Sequence, residues 1–453
     1  GAVTTNSTFD GVDIATRDGV LTSTTATAAA ALPKAGGTMT GNLATAGISS
    51  VTAGTNNTVV GASAGDSIVS GGNWNTLMGV NAGTALTTGD RNVAIGENSL
   101  AAATTQSYNI AIGRYAQYGA TGSANVGVGY ETLGVASGAN NSALGDYALN
   151  ANTTGANNTA VGKSALTANT TASYNTAVGM NSLDANTTGL RNTGLGYGSL
   201  SGNTTADDNT AVGYFALVAN TTGTRNTAVG ESSLKTNTTG DYNSATGYRA
   251  LHFNTTADSN TANGTQALYH NTTGASNTAV GESALYNNTT GTGNTATGKS
   301  SLQNNTTGGS NVAVGEGALT TNTTASTNTA VGYASMQDNT TGANNVSLGY
   351  EALGDNTTAA GNAAAGYKAL RFNTTGAYLS AFGAYALYNN TTGSSNTAVG
   401  YSALVANTTG PLNVAIGDNA LASSTSAGNN VAVGYRSLVA CNSDSNTVIG
   451  TYA

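Results

Sequence analysis

The sequence predicts an all-β fold, a parallel β-solenoid, and three observations lead to this prediction. A unit of 17 residues repeats eighteen times in succession, from the unit that opens at Asn141 to the one that opens at Asn430. Each unit holds only three or four residues of period-two alternation, and recurring Gly and Asn-Thr-Thr-Gly runs interrupt any helical period. Only 8% of the residues are charged, and the chain has 62 Gly but 2 Pro, which suits stacked corners better than a globular enzyme or a disordered linker. A fixed period of this kind is typical of a solenoid, whose coils bury their cores against one another.

Several columns of the repeat vary little along the chain. We number the positions of a coil from 0, which is Asn in all eighteen regular coils except at Leu379. Position 4 is always Gly, position 8 is Leu or once Met336, and position 11 is Asn until Ser424 and Cys441. Position 14 is usually a second Gly. Such recurrence predicts that each column stacks in register along the axis, at about 4.8 Å per coil.

The strand of each coil is predicted at positions 1 to 3, as in Thr159-Ala160-Val161. Alternation sends the outer two side chains to one face and the alanine to the other. Val93-Ala94-Ile95 keeps β-branched residues on the first face, so we expect that face to form the coil interior, together with the leucine of position 8. The alanine face is then expected to meet something outside the coil. The glycine of position 4 is expected at a corner with φ > 0.

The asparagine columns are predicted to be structural. Identical amides stacked in register hydrogen-bond along the axis and satisfy the backbone groups of the corners. Asn-Thr-Thr also matches the acceptor of N-glycosylation, but a match that recurs in nearly every coil is better explained by the repeat itself.

The repeat continues with looser spacing on both sides of the regular array. Further units open at Asn57, Asn75, Asn92, Asn109, Asn125 and Asn446. Five earlier units, eighteen regular units and one last unit predict about 24 coils, a repeat shaft over residues 57–453. At about 4.8 Å per coil this shaft would extend roughly 115 Å.

Residues 1–56 differ from the array and are predicted to be an N-terminal connector. The alanine-rich segment Thr24–Leu32 favours a short helix that ends before Pro33. The glycines between Gly36 and Gly41 favour tight turns. The chain begins at Gly1 rather than Met, so we expect residue 1 to be an internal or processed position.

Two parts of the chain resemble known families. The segment Phe9–Asp18, followed by Leu32–Gly41, resembles a segment common in bacteriophage tail-fibre and related virion fibre proteins. Coils such as Asn92-Val93-Ala94-Ile95-Gly96 resemble the head repeats of trimeric autotransporter adhesins. The second resemblance implies a left-handed β-roll and a homotrimer, although the usual adhesin repeat is shorter and a longer outer loop is expected here. Nothing in the chain resembles the membrane anchor of those adhesins, which favours the phage interpretation.

A homotrimer also has a physical motive. A coil of 17 residues encloses few side chains, so a single solenoid has a thin core for its exposed surface. We therefore expect three copies to pack along their alanine-bearing faces.

Composition excludes several kinds of partner. The net charge of −8 and the pI near 4.6 argue against nucleic acid and against anionic membrane surfaces, because both require clusters of Lys and Arg. No run of 18 apolar residues is present, so membrane insertion is not expected. The single cysteine, Cys441, permits no intrachain disulfide and is interpreted as a substitution in the asparagine column.

Two catalytic motifs match as strings but not in context. Gly61–Gly65 fits the G-x-S-x-G nucleophile elbow, which requires a histidine within reach. The nearest one, His252, lies eleven coils away, about 50 Å along the axis. Gly293–Ser300 fits the phosphate-binding P-loop, but an ordinary coil follows where a helix should begin. Carboxylates such as Asp207-Asp208 could serve a depolymerase only by an accident of trimer geometry. We therefore expect no catalytic residue, no cofactor and no enzymatic activity.

One aromatic cluster interrupts the small, polar columns at positions 9 and 10. His252-Phe253, Tyr269-His270 and Tyr286 occupy these positions in three consecutive coils, and should lie within about 10 Å of one another. Such rings can stack on sugars or anchor a partner, so the candidate receptor-binding residues are Phe253, Tyr269, His270 and Tyr286. The alternative is that the rings fill the grooves between trimer subunits. A metal site is not expected, because the two histidines lack a third ligand.

Tyrosine recurs at position 5 as well. Tyr333, Tyr350 and Tyr367 occupy this position in successive coils. Such a column can stack its rings along the axis and stabilise the solenoid without any ligand.

Three functions compete. The leading one is a structural and host-attachment fibre of a phage virion, which would bind a host cell-surface glycan or protein and other virion tail proteins. The second is a bacterial trimeric surface adhesin, located at the cell surface. The third is an ice-binding solenoid, suggested by the Thr-Thr pairs of positions 12 and 13. Adjacent strand residues point to opposite faces, however, so these pairs do not form a flat Thr-x-Thr array.

Overall fold

The computed structural model describes residues 52–453 and two short strands closer to the N-terminus. These strands, β1 (Thr8–Phe9) and β2 (Val12–Asp13), pair antiparallel. The helix expected over Thr24–Leu32 and the turns expected around residues 36–41 lie outside the described residues. By its internal contacts the chain divides into two compact units, residues 1–140 and 141–453. The second unit begins where the constant spacing of 17 residues begins.

The first unit contains five solenoid strands of three residues each. They are β3 (Thr58–Val60), β4 (Thr76–Met78), β5 (Val93–Ile95), β6 (Ile110–Ile112) and β7 (Val126–Val128). Successive strands pair parallel and in register, so that each residue lies beside its equivalent in the next coil.

The second unit repeats the same arrangement over nineteen strands. They are β8 (Ser142–Leu144), β9 (Thr159–Val161), β10 (Thr176–Val178), β11 (Thr193–Leu195), β12 (Thr210–Val212), β13 (Thr227–Val229), β14 (Ser244–Thr246), β15 (Thr261–Asn263), β16 (Thr278–Val280), β17 (Thr295–Thr297), β18 (Val312–Val314), β19 (Thr329–Val331), β20 (Val346–Leu348), β21 (Ala363–Ala365), β22 (Ser380–Phe382), β23 (Thr397–Val399), β24 (Val414–Ile416), β25 (Val431–Val433) and β26 (Thr447–Ile449). Thr176 pairs with Thr159 on one side and Thr193 on the other. The described residues contain no helix, and the prediction of a parallel β-solenoid is confirmed.

The coil interior is formed by the alanine face of the strand, so the expectation that β-branched residues point inward was wrong. Ala160 is 0% exposed, whereas Thr159 and Val161 on either side of it are half-buried. Ala165 and Leu166 complete the core of the coil. A coil this narrow has room opposite a leucine for a methyl group, but two inward β-branched side chains would overfill it. The alanine face is therefore not available for contacts between copies.

The corner glycines are confirmed, and they have a second reason beyond their dihedral angle. Gly162 has φ = 132°. A Cβ on this residue would lie 2.6 Å from the carbonyl carbon of Gly179 in the next coil. The column must therefore be glycine both because φ is positive and because the backbones of successive coils meet there.

Three further columns, at positions 6, 8 and 16, adopt left-handed dihedral angles mostly without glycine, as Tyr174 at position 16 does with φ = 63°. Ser164 at position 6 has φ = 58°, and Leu166 at position 8 has φ = 51°. The backbone N–H of Leu166 donates to Ser182 O of the next coil at 3.0 Å. The burial of the leucine and this inter-coil hydrogen bond hold a conformation that costs about 1 to 3 kcal/mol in isolation.

The asparagine ladders are confirmed in both columns. At position 0, the backbone N–H of Asn158 donates to Asn141 Oδ1 at 3.0 Å, and its Nδ2 donates to Ala172 O at 2.9 Å. At position 11, Asn169 Nδ2 donates to Asn152 Oδ1 at 2.8 Å and to Ala172 O at 3.0 Å. Asn169 is fully buried, so its Asn-Thr-Thr sequence presents no accessible amide for glycosylation in the folded coil.

Candidate receptor-binding surface

The aromatic cluster forms two columns that run along the axis of the second unit. His252, Tyr269 and Tyr286 stack in the first column, with ring centroids 5.2 and 5.1 Å apart. Phe253 and His270 stack in the second, with centroids 5.4 Å apart and planes 4° from parallel. The structure therefore brings together all four candidate residues, as their spacing predicted.

The rings of one column turn their faces mainly toward one another. Parallel rings with centroids this close cannot lie side by side in one plane, because their atoms would overlap, so they stack face over face with an offset. Tyr269 has a ring on both faces, since His252 and Tyr286 stack on opposite sides of it. The two columns meet edge to face, as Phe253 does against Tyr269 at 5.1 Å. Tyr269 therefore offers a ligand an edge rather than a face.

Both histidines are held toward their neutral forms. Burial lowers the pKa of His252, against the hydrogen bond between its Nδ1 and Ser232 O at 3.0 Å, which acts in the opposite direction. Burial also lowers the pKa of His270. The cluster is therefore uncharged at neutral pH.

A groove of 770 Å³ lies beside the second column. Phe253 and His270 line it, whereas Tyr269 and Tyr286 do not. The other lining residues come from positions 10 and 12 of five consecutive coils: Thr236, Thr255, Thr272, Asn287, Thr289, Asn304 and Thr306. Every lining residue is uncharged or, like His270, held toward its neutral form.

The threonines on one wall present methyl groups because their hydroxyls are already bonded. Thr255 Oγ1 donates to Thr272 O at 3.1 Å, and Thr272 and Thr289 each donate to the carbonyl of the next coil at 3.0 Å. On the other wall, Asn287 Nδ2 donates to Asn304 Oδ1 at 3.0 Å. The Oδ1 of Asn287 and the Nδ2 of Asn304 form no further hydrogen bond within the described residues, which leaves one acceptor and one donor at the groove.

Other aromatic columns also follow the repeat. Tyr333, Tyr350 and Tyr367 stack at 5.2 and 5.3 Å, so the predicted tyrosine column is confirmed. An exposed column of the first unit was not predicted from the sequence. In it, Arg91 lies 4.9 Å from the ring centroid of Trp74 and 5.3 Å from that of Tyr108. The sequence does contain the pattern that would predict this column, because these three residues directly precede the opening asparagines of consecutive coils.

The residues of the two catalytic strings occupy ordinary coil positions. Ser63 lies in a turn after β3 with φ = 53°. Gly298 is a corner glycine with φ = 127°, and the exposed Lys299 pairs with Glu282 at 3.6 Å. Neither motif precedes a helix, as its chemistry requires.

The adjacent carboxylates Asp207 and Asp208 are paired with an arginine. Arg191 contacts Asp208 at 2.6 Å and Asp207 at 3.6 Å. The hydrogen bond from Arg191 lowers the pKa of Asp208. A glycosidase needs one carboxyl group with a raised pKa to act as general acid, and the environment of Asp208 has the opposite effect.

Among the described residues, no group of three or more His, Cys, Asp and Glu side chains could hold a metal ion. No helix within residues 52–453 is long and apolar enough to cross a bilayer. No protein-family model matches the chain, and no curated protein is significantly similar to it.

Proposed function

We propose that the chain is the shaft of a homotrimeric fibre of a phage virion, which attaches to a glycan or protein of the host surface without catalysing a reaction. The solenoid repeat and the resemblance of Phe9–Asp18 and Leu32–Gly41 to phage fibre segments support this function. Other virion tail proteins would hold the fibre. The bacterial adhesin remains the alternative, because it would use the same kind of shaft, and tail and baseplate genes beside this gene would favour the phage.

The observation that carries the proposal is the outward face of the strands in the second unit. Positions 1 and 3 of β8 to β26 include no charged residue. Large apolar side chains on this face reach solvent, such as Leu348 at 53% and Phe382 at 46% exposure. Position 3 is apolar in 16 of these 19 coils, interrupted by Thr246, Asn263 and Thr297, whereas position 1 is mostly Thr or Ser. An uncharged face with a column of exposed apolar side chains this long exceeds the isolated apolar residues normal on a monomer, and supports a protein interface.

A second copy of this chain is the partner that fits this face. The face presents positions 1 and 3 of every coil, and successive coils are about 4.8 Å apart. A partner must therefore have the same axial period to match the face coil for coil. Two further copies in register have that period. The trimer thus uses the face opposite to the one first expected, because the alanines are enclosed within each coil.

The position of the aromatic columns supports attachment over subunit packing. Positions 9 and 10 lie about half a coil from the strand in sequence, so copies that pack by their strand faces leave the aromatic columns at the outer surface. We propose that receptor contact on the shaft occurs at or beside Phe253, Tyr269, His270 and Tyr286.

The ice-binding alternative gains little from the groove threonines, since the hydroxyls of position 12 donate to neighbouring coils. On the strand face, Thr295 and Thr297 carry hydroxyls at both outward positions, but Thr-x-Val is the commoner pattern. Thermal hysteresis of a purified monomer would favour this alternative.

The trimer is tested by native mass measurement, which should give three chains. Replacing Leu195, Val212 and Val229 with Lys puts three charges on the strand face of consecutive coils, and should yield monomers because buried unpaired charges are not tolerated. The matched control places Lys at the exposed Thr205, Thr222 and Thr239 of the same coils and should remain trimeric. A monodisperse wild-type monomer would contradict the proposed assembly.

Attachment is tested by adsorption of the fibre to host cells. Alanine at all four candidate residues should reduce adsorption while the trimer stays folded. Unchanged adsorption would move the receptor site to another part of the fibre or to a partner protein. Release of shortened polysaccharide by the wild type would contradict the non-enzymatic function.

A further inference from the structure

We propose that the groove beside Phe253 and His270 binds a neutral, unbranched glycan chain that lies parallel to the solenoid axis. This inference rests on the proposed attachment function and specifies the class of receptor and its orientation. From Thr236 to Asn304 the groove spans four coil steps, about 19 Å at ~4.8 Å per step. An open groove of this length, with a volume of 770 Å³, fits several sugar residues of one extended chain.

The two walls match the two kinds of surface on a pyranose ring. The methyl groups of Thr255, Thr272 and Thr289 form an evenly spaced apolar row along the axis, because their hydroxyls donate to the next coil. The C–H face of a sugar packs on such a row of methyl groups and on Phe253 and His270, which lie in the second and third of the five coils of the groove. The opposite wall supplies the acceptor of Asn287 and the donor of Asn304, and a hydroxyl group can use either one.

The same contacts disfavour other classes of ligand. No Lys or Arg lines the groove, so a carboxylated or sulfated chain would lose water without gaining a cationic partner. An extended peptide would need free backbone groups to pair with. The backbone N–H groups of Thr255 and Thr272 already donate to the carbonyls of Thr272 and Thr289, at 3.1 and 3.0 Å. A polymer of neutral hydroxylated rings satisfies both restrictions.

The geometry also divides the aromatic residues into two roles. Phe253 and His270 line the groove and contact the glycan directly. Tyr269 packs edge to face against both of them, with centroids 5.1 and 4.7 Å away. Tyr269 and Tyr286 are therefore positioning residues, which hold the contacting rings upright.

The first test measures binding of defined oligosaccharides to the intact fibre. The neutral probes are maltohexaose, cellohexaose and chitohexaose, and the anionic probe is a hyaluronan hexasaccharide, each followed by saturation-transfer NMR. At least one neutral probe should bind, with an affinity that rises from disaccharide to hexasaccharide and changes little with salt. Binding of no neutral probe, or stronger binding of hyaluronan, overturns the proposal.

The second test distinguishes the methyl groups from the hydroxyls of the threonine wall. Val at Thr272 and Thr289 keeps the methyl groups and should preserve binding, whereas Ser at both positions removes them and should weaken binding about five- to tenfold. Ala at Asn287 and Asn304 should weaken it by a similar factor. Ser at the exposed Thr273 and Thr290 is the matched control and should have no effect. Equal binding by the Ser and Val variants contradicts the assigned contacts.

Adsorption to host cells separates this proposal from the attachment function on which it rests. If the wild type adsorbs and the groove variants adsorb equally well, the groove is not the receptor site although attachment stands. If the wild-type fibre does not adsorb at all, the attachment function itself is wrong. If Ala at Asn287 and Asn304 reduces both oligosaccharide binding and adsorption, both proposals are supported.

Discussion

The coils around Asn271 and those after Leu379 share one repeat, but they differ in how completely their asparagine ladders are bonded. Asn271 Nδ2 donates to Asn254 Oδ1 and to Gly274 O, both at 2.9 Å, and its Oδ1 accepts from Asn288 Nδ2 at 2.8 Å. Near the C-terminal end, Ser424 replaces the asparagine of position 11. Its Oγ and the Oδ1 of Asn407 are buried without a hydrogen-bond partner in the described structure.

The position-0 ladder shows a similar interruption. Leu379 N–H still donates to Asn362 Oδ1 at 2.9 Å, but its side chain offers no acceptor to the backbone N–H of Asn396 in the next coil. One coil later the ladder resumes, since Asn413 N–H donates to Asn396 Oδ1 at 2.8 Å. Each substitution therefore affects the neighbouring coil, because every hydrogen bond of the ladder joins two coils. In a solenoid the stability of a coil depends on its interfaces with the coils on either side.

The largest expected loss of stability comes from disrupting the close contact between corner glycines of successive coils, which occurs in both regions. Val at Gly264, where φ is 143°, would place a Cβ 2.5 Å from Gly281 O. Strain and the backbone clash should cost at least about 3 kcal/mol and lower the melting temperature. Val at the adjacent, exposed Thr265 is the control and should melt like the wild type. Equal melting of the two variants would show that position 4 is not a strained corner.

The next effect compares the two ladders directly. Leu at Asn271 leaves buried groups of Asn254, Gly274 and Asn288 without a partner, and should cost about 3 kcal/mol. Leu at Asn407 should cost about 1 kcal/mol less, because Asn407 Oδ1 has no partner to lose. Hydrogen exchange of the flanking coils measures both losses. Identical losses would show that the ladder interruption has no energetic consequence.

A smaller effect should result from repairing the interrupted ladder. Asn at Ser424 would place an Nδ2 within reach of Asn407 Oδ1, as in the regular coils, and should stabilise the last coils by about 1 kcal/mol. Slower hydrogen exchange between residues 407 and 446 is the expected result. Ala at Ser424 removes one unpaired oxygen without repairing the ladder, so it should stabilise less than Asn does.

The smallest expected effect is a pH dependence of stability in the coils around Asn271, where the asparagine ladder is complete. These coils contain both histidines of the chain. Burial lowers the pKa of His252 below its ordinary value of 6.5. The unfolded chain therefore binds a proton at higher pH than the folded coil does, so stability is full above pH 6.5 and falls as the pH decreases toward the folded pKa. Hydrogen exchange, corrected for intrinsic rates, should show this loss of stability in residues 226–286 but not in residues 396–446. Gln at His252 should remove most of it.

Features that depend on one residue type recurring at a fixed spacing could be predicted from the sequence. The register of the strands, the corner glycine of Gly162 and the ladder at Asn169 were all predicted, because each follows from one residue type recurring at a fixed spacing. The stacking of Tyr333 on Tyr350 followed from the same rule. Leu166 in a left-handed conformation was not predicted, because leucine carries no local preference for positive φ.

The sequence by itself determined the period, the parallel stacking and the residues that meet from coil to coil, because stacking requires only that equivalent positions align. Only the tertiary structure decided which face of Thr159-Ala160-Val161 points inward. Alternation separates two faces without ranking them, and the choice depends on the volume left inside the coil once Leu166 and the corners close around it. The groove beside Phe253 and His270 was likewise decided by tertiary structure, because its walls come from two columns whose relative orientation depends on how each coil closes.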